Sequence, residues 1–261
     1  MLALNDNHAV TVFIGYDSAE QVAYNVCEWS LIQTASRAVV VRPLILPLLE
    51  QAGFMTRKYT RDQDTGQRFD EIDGRPFSTE FAFSRFLVPH LMGYNGLAVF
   101  CDCDMFWRRD VYRLIEEVDP GVPVSCVQHD YRPSATTKMD GLRQEPYPFK
   151  NWSSLMVFNC VANTALTKEV VNTWSGRDLH SFRWIPYIDQ IGRINGEWNH
   201  LVTPEHPRIT IEDPAVVHYT EGGPWHRDKQ YHHLPWSEEW YDLHLELYGR
   251  RMIGGEVETK D

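Results

Sequence analysis

Apolar residues recur along this chain in two rhythms. Short continuous runs rich in β-branched and aromatic residues, at 10–16, 38–46, 97–100, 122–127, 155–158, 209–211 and 215–219, have the length and character of strands. Between them, apolar positions return at helical spacing over 19–35, 79–87, 109–118, 167–174 and 237–252. Cap and breaker signals mark the joints. Asp17 or Ser18 with Glu20 opens the first helix, Pro47 begins a short one that Gly53 stops, and Pro89 closes the helix at 79–87. Strands alternating with helices predict an α/β fold. Two polar stretches break the rhythm: 56–75, read as a substrate lid or an insertion, and 132–150, read as a second long loop. Residues 253–261 read as a disordered tail. That leaves 1–252 as one domain, with no internal repeat and no interdomain linker.

Charge and cysteine usage remove several classes of function. A formal net charge of −11 argues against a nucleic-acid partner, which needs clustered Lys and Arg. A nucleotide carried on a metal ion stays compatible, because the cation supplies positive charge locally. No stretch approaches the roughly twenty apolar residues of a membrane span, and the first residues lack the basic start and apolar core of a signal peptide. The five cysteines are odd in number and several lie in apolar runs, which predicts buried, reduced thiols in a cytoplasmic protein. Cys101 and Cys103 lack the second pair that a zinc site needs. Of the nine tryptophans, Trp152 and Trp225 stand out as rings on which a sugar could stack.

The candidate chemistry is concentrated where the run 97–100 ends in Asp102-Cys103-Asp104. In an extended chain the two carboxylates fall on one face. Like charges so close call for a cation, and hard oxygen ligands suit Mg²⁺ or Mn²⁺ with positions left for phosphate oxygens. The competing reading is a solvated turn at a strand end. Arg85, within an apolar helix beside that strand, needs an anionic partner, either a nearby carboxylate or a bound nucleotide. The first strand ends in Gly15-Tyr16-Asp17 without a glycine-rich or Walker lysine motif, so a dinucleotide or P-loop cradle is not supported.

Arg85, Asp102-Cys103-Asp104, Asp189-Gln190, Trp198-Asn199 and His218 before Gly222-Gly223-Pro224-Trp225 follow one another in an order that resembles the nucleotide-sugar-dependent glycosyltransferases of family 8. The resemblance implies a GT-A fold, a Rossmann-like single domain with a mixed central sheet. It also implies a metal-dependent, retaining transfer from a nucleotide sugar, UDP-linked, to a saccharide or glycoconjugate acceptor. Carried over position by position, Asp102, Asp104 and His218 would hold Mn²⁺ or Mg²⁺. Tyr16, Asp17, Arg85, Asp102, Asn159 and Trp225 would contact the donor, and Asp189, Gln190 and Asp130 would act on the sugar and acceptor side. Two departures stand out. Gly223 occupies the place of the family's diphosphate-contacting lysine, with Arg227 or Lys229 as nearby substitutes. The family segment Asn-x-Gly-x-x-x-x-Asn is altered over residues 152–159, where Asn151 stands one position away. Two other classes compete. A haloacid-dehalogenase-like phosphohydrolase would use Asp102 as nucleophile, but it carries the motif on its first strand. A catalytically inactive nucleotide-sugar-binding protein would fit the absent lysine.

Overall fold

Five of the apolar runs come together in one six-stranded sheet that buries most of its residues, and the run at 215–219 supplies a strand of a second, three-stranded sheet. A computed structural model describes residues 9–130, 149–203, 211–250, 252–253 and 256–257. Strand β1, Val10–Gly15, passes through a single 3-10 turn into α1, Gln21–Thr34, followed by β2, Val39–Leu44, and α2, Leu46–Gln51. Three short strands come next: β3, Tyr59–Arg61; β4, Arg68–Asp70; and β5, Pro76–Phe77. Then follow α3, Val88–Leu91; β6, Leu97–Cys101; β7, Met105–Trp107; α4, Val111–Glu117; and β8, Val124–Cys126. The second half holds β9, Leu155–Asn159; α5, Lys168–Thr173; α6, Gly176–His180; β10, Ile191–Arg193; β11, His200–Leu201; and β12, Val216–His218. The chain closes with α7, Ser237–Tyr248, and the strands β13, Met252–Ile253, and β14, Glu256–Val257.

The central sheet has the order β10-β8-β9-β6-β1-β2. All pairings are parallel except those of β9, which runs against β6 and β8. This is the expected α/β domain with a mixed sheet. β6 and β9 are buried almost throughout, as unbroken apolar runs require, whereas β2 at the edge alternates with solvent. Phe13, Phe100 and Phe158 are each at most 2% exposed. Burying one such side chain stabilises the fold by about 1.5–3 kcal/mol. A second cluster, with Phe106, Tyr219, Trp225 and Trp240, fills the space between β7, β12 and α7.

Four expectations change. The polar stretch 56–75 is not a loop: β3, β4 and β5 form an antiparallel sheet there. Its strands are too short and polar to show alternation, and buried ion pairs hold it instead. Arg57 and Asp70 pair at 2.5 Å, and Arg68 and Glu80 at 2.9 Å. The expected helix at 79–87 is a turn followed by a 3-10 segment, Ser84–Leu87. Pro89 then falls in the first turn of α3, where its missing N–H is harmless, so it starts a helix rather than ending one. The tail expected to be disordered from 253 contributes to a two-stranded pairing of β13 with β14. Residues 132–148 and 209–210 lie outside the described residues. No helix among the described residues is long and apolar enough to cross a membrane.

Candidate metal centre and its two cavities

β6 delivers Asp102 to the carboxyl edge of the sheet, and the chain turns at once into β7, so Asp104 leaves from the same corner. β7 pairs antiparallel with β12, with Met105 opposite His218, and the Tyr219 N–H donates to the Asp104 carbonyl at 2.9 Å. A histidine remote in sequence is thereby locked beside the second aspartate. One carboxylate oxygen each from Asp102 and Asp104 and one ring nitrogen of His218 lie within 4.8 Å of one another. The three residues are 8%, 5% and 1% exposed. No other group of three or more such side chains occurs among the described residues.

The imidazole is oriented from behind. Asn199 Nδ2 donates to Ser154 Oγ at 2.8 Å, which fixes its Oδ1 as the acceptor facing His218 Nδ1 at 2.9 Å. With the proton on Nδ1, the Nε2 lone pair points to Asp104, whose Oδ1 is 3.2 Å away. A ligating histidine with its other nitrogen anchored is the usual arrangement of a metal site. Ser154 also accepts the Asp102 N–H on its carbonyl at 2.9 Å, so one loop positions both sides of the cluster. Two buried carboxylate oxygens and an anchored imidazole nitrogen fit Mn²⁺ or Mg²⁺ and leave coordination positions for a ligand.

Arg85 finds its anion in Asp102. Its Nη1 lies 2.8 Å from Asp102 Oδ1 and donates to the Ser153 carbonyl at 2.9 Å. The guanidinium also rests 5.0 Å from the Phe100 ring and 5.1 Å from the Phe81 ring. Phe81 in turn lies flat on Gly15. A Cβ there would meet the ring at 2.4 Å, so the end of β1 has to be glycine.

Two cavities open on either side of the cluster. On the Asp102 side, about 890 Å³ of space is bordered by the β4–β5 segment, Asn151, Ser153 and one face of α6. On the Asp104 side, about 770 Å³ is bordered by the end of β1, by β3–β4 and by Glu221 and Gly222. Ser78, Thr79 and Thr220 line both. The small sheet β3–β5 therefore walls both halves of the cleft. Asp17 borders the Asp104 side but is already engaged, accepting from the Ala19 N–H at 3.0 Å and from the Glu80 N–H at 3.0 Å.

The remaining expected site residues are not brought to this cluster. Tyr16, half-buried, borders neither cavity and packs edge-on against Tyr24. Trp225 is buried among Tyr219 and Trp240 rather than facing either cavity. Asp130 is exposed at the edge of the described residues and borders neither cavity. Asn159 pairs with Leu97 at the start of β6, so it lies at the opposite edge of the sheet. There it donates to the Pro120 carbonyl at 2.8 Å. Asp189 and Gln190 are exposed and precede Ile191, which stands level with Val124 at the start of β8. Three strand spacings of about 4.8 Å also separate β10 from β6, roughly 14 Å across the sheet. Arg227 and Lys229 are exposed and border neither cavity.

The missing lysine has a steric explanation. A Cβ on Gly223 would lie 2.2 Å from the Trp225 ring, so the turn closes directly onto the indole. What sequence reasoning missed is Ser153 and the α6 pair Arg177 and His180. Nothing local marks them, whereas Asn199 and Asn151 were both noted in the sequence without the tasks they perform here. The five cysteines are unpaired and buried. Burial pushes the Cys27 and Cys103 thiols well up, which leaves them poor metal ligands.

No family model matches the chain. Protein CDI of Arabidopsis thaliana is 42% identical to it over 220 residues, which is 82% of this chain and 78% of that protein. Among solved structures, the galactosyltransferase LgtC in complex with donor and acceptor sugar analogs aligns with a TM-score of 0.57 at 14% identity, over 92% of this chain and 96% of LgtC. The apo form of the glycosyltransferase GlyE of Streptococcus pneumoniae TIGR4 gives 0.57 at 15% identity, over 92% of this chain and 61% of GlyE. The bifunctional WbbM gives 0.55 at 15% identity, over 93% of this chain and 53% of WbbM, so the chain spans about half of that protein. At such identities the likeness is one of fold, and the fold is GT-A.

Proposed function

The chain belongs to the family of Protein CDI of Arabidopsis thaliana, and on that premise we propose that it is a metal-dependent glycosyltransferase of family 8 type that uses a UDP-linked sugar. The observation that carries this reading is the convergence of Asp102, Asp104 and the anchored His218 between two cavities of a GT-A fold. The Asp104 side, at the end of β1, suits the nucleoside, and the Asp102 side suits the sugar. The bond to be broken would then lie between the two cavities, beside Asp102, Asp104 and His218.

In the transfer, the bond from the anomeric carbon to the diphosphate oxygen breaks and its electron pair leaves with the nucleoside diphosphate. A new bond forms from that carbon to an acceptor hydroxyl oxygen, whose proton passes to the leaving diphosphate or to solvent. Asp102, Asp104 and His218 would hold a divalent cation, which when bound would supply Lewis-acid stabilisation of the charge that builds on the leaving group. Asn199 holds the His218 ring in its orientation, and Arg85 holds Asp102 in place. The small sheet β3–β5 narrows the cleft and limits water access to the reacting carbon. Retention of configuration is the outcome the resemblance suggests, and proton NMR of the product reads it directly. Five unpaired, buried cysteines support work in a reducing, cytoplasmic setting.

Calorimetric titration with UDP tests the reading. Binding is expected with Mn²⁺ present and is expected to vanish with chelator or in Asp104→Asn. Absent or metal-independent UDP binding would count against it. Metal-dependent binding without transfer or donor hydrolysis, over a broad acceptor panel, would instead favour an inactive nucleotide-sugar-binding protein.

A further inference from the structure

The small sheet that walls the cleft carries an unbalanced cation on the Asp104 side. In the β3–β4 register Arg61 stands opposite Arg68, and both border that cavity. Residues opposite each other in an antiparallel pair share a face, and two like charges so placed cost stability. Only one of the two is balanced. Arg68, 9% exposed, meets Glu80 at 2.9 Å, and that carboxylate also accepts from Ser18 Oγ at 2.8 Å. Arg61 makes a single hydrogen bond among the described residues, from its Nε to the Gly66 carbonyl at 3.3 Å, and no ion pair.

The turn beside Arg61 leaves its guanidinium available. Asp62, the carboxylate next to it in sequence, spends its Oδ1 inside the turn. That oxygen accepts from the Asp64 N–H at 3.1 Å and from the Thr65 N–H and Oγ1 at 2.8 Å each. Gly66 closes the turn at a φ of 73°, and a Cβ there would stand 3.4 Å from Arg61 Nη2. The guanidinium therefore lies along the turn, with one N–H engaged and the rest of its donor fork open to a ligand.

That ligand cannot be a bare anion. Asp17, Glu20, Asp104 and Glu221 border the same cavity and would repel one. An anion carried on a divalent cation escapes the repulsion, because the metal answers the carboxylates and leaves phosphate oxygens for the guanidinium. A nucleoside diphosphate brings more negative charge than one divalent ion facing Asp102 and Asp104 balances, so it calls for a further cation. The turn at Gly223 has no room to provide one, and Arg227 and Lys229 border neither cavity. Arg85 is committed to Asp102, and Arg68 to Glu80. Resting on the reading that the chain uses a metal-borne nucleotide sugar with its nucleoside on the Asp104 side, we propose that Arg61 contacts the diphosphate in place of the absent lysine. The β3–β4 turn is then part of the donor site as well as its wall.

The test uses the full chain with Mn²⁺ and begins with UDP calorimetry on the unaltered protein, as a check on the underlying reading. Arg61→Gln is expected to weaken UDP binding by about tenfold, while uridine, followed by saturation-transfer NMR, keeps its affinity within about twofold. Arg61→Lys keeps the charge without the fork and is expected to recover part of the loss. Because Arg61 is exposed and its opposition to Arg68 is relieved, the ligand-free melting temperature of Arg61→Gln is expected to hold or rise. Arg227→Gln combined with Lys229→Gln is expected to leave UDP affinity within about twofold. Intact UDP binding with a loss under about twofold in Arg61→Gln overturns the proposal alone. So does an equal loss for uridine, which would make Arg61 a nucleoside contact, or a tenfold loss confined to the double variant. Absence of UDP binding by the unaltered chain brings down the underlying reading and this inference with it.

Discussion

The two edges of the central sheet hold similar residues and do different things with them. At the carboxyl edge, Asp102 and Asp104 face a histidine from β12, an arginine from the 3-10 segment before α3, and a cap sheet that encloses them. At the other edge, Asn159, Asp189 and Gln190 meet either a backbone carbonyl or water. The difference lies in convergence. β6 and β7 form a corner that β12 closes from the side, so acidic groups there are buried together and need a cation. β9 and β10 simply enter or leave turns at the opposite edge. A carboxylate acquires chemistry when its neighbours in space cannot all be satisfied by one another.

The contrast can be broken most sharply at Asp104. Asp104→Asn is expected to lower donor turnover by roughly 10²–10³-fold at saturating Mn²⁺ with little change in melting temperature. A loss under tenfold would mean that the corner is not the reacting centre. One step back, Asn199→Ala removes the acceptor for His218 Nδ1 and is expected to weaken Mn²⁺ binding by about 10–100-fold, read by metal titration.

Acid should also act mainly on the carboxyl edge. His129, in the segment after β8, is drawn down to about 3 from 6.5 by burial first and then by the nearby His218 and His200. Its folded pKa is depressed, so the unfolded chain binds the proton more readily below pH 6.5. Stability is therefore full above that pH and falls as pH drops toward 3. The expected loss is on the order of 1–2 kcal/mol between pH 6.5 and 5. Chemical denaturation at several pH values measures it, and His129→Gln should flatten the dependence. At the far edge, Asn159→Ala loses its bond to the Pro120 carbonyl. It is expected to cost about 1 kcal/mol in urea denaturation without a matching change in turnover. The smallest effect belongs to Asp189→Ala with Gln190→Ala, for which turnover should stay within about twofold. A large drop there would erase the distinction between the edges.

The central strands and the clustering of acidic groups at the candidate metal corner were legible because each rests on a local pattern. β1 and β6 are continuous apolar runs, and Asp-x-Asp at a strand end is a short-range arrangement that His218, also at a strand end, completes. The rest depends on information the local pattern lacks. β3–β5 are held by Arg57–Asp70 and Arg68–Glu80, and a buried ion pair looks like two ordinary surface charges until the fold joins them. α6 is five residues long, too short for any periodicity, and its only local mark is Ser175, whose hydroxyl accepts the Asp178 N–H at 3.1 Å. Asp189-Gln190 was attractive by residue type, and it lies exposed, outside the lining of both cavities. Asn199 stood in the ordered set of motifs, yet its task depends on which nitrogen of His218 faces it.

The contact of Gly223 with the Trp225 ring bears on how this turn can vary. The indole is itself wedged against Tyr219 and Trp240, so it cannot yield to a new side chain without disturbing the second core. Installing a lysine at 223 in one step would therefore meet a steric barrier before its charge could matter. A smaller residue at 225 would have to come first, at the cost of a cavity beneath the turn. The two positions form an epistatic pair: glycine is easily kept at 223, and lysine is hard to install there while tryptophan stays at 225.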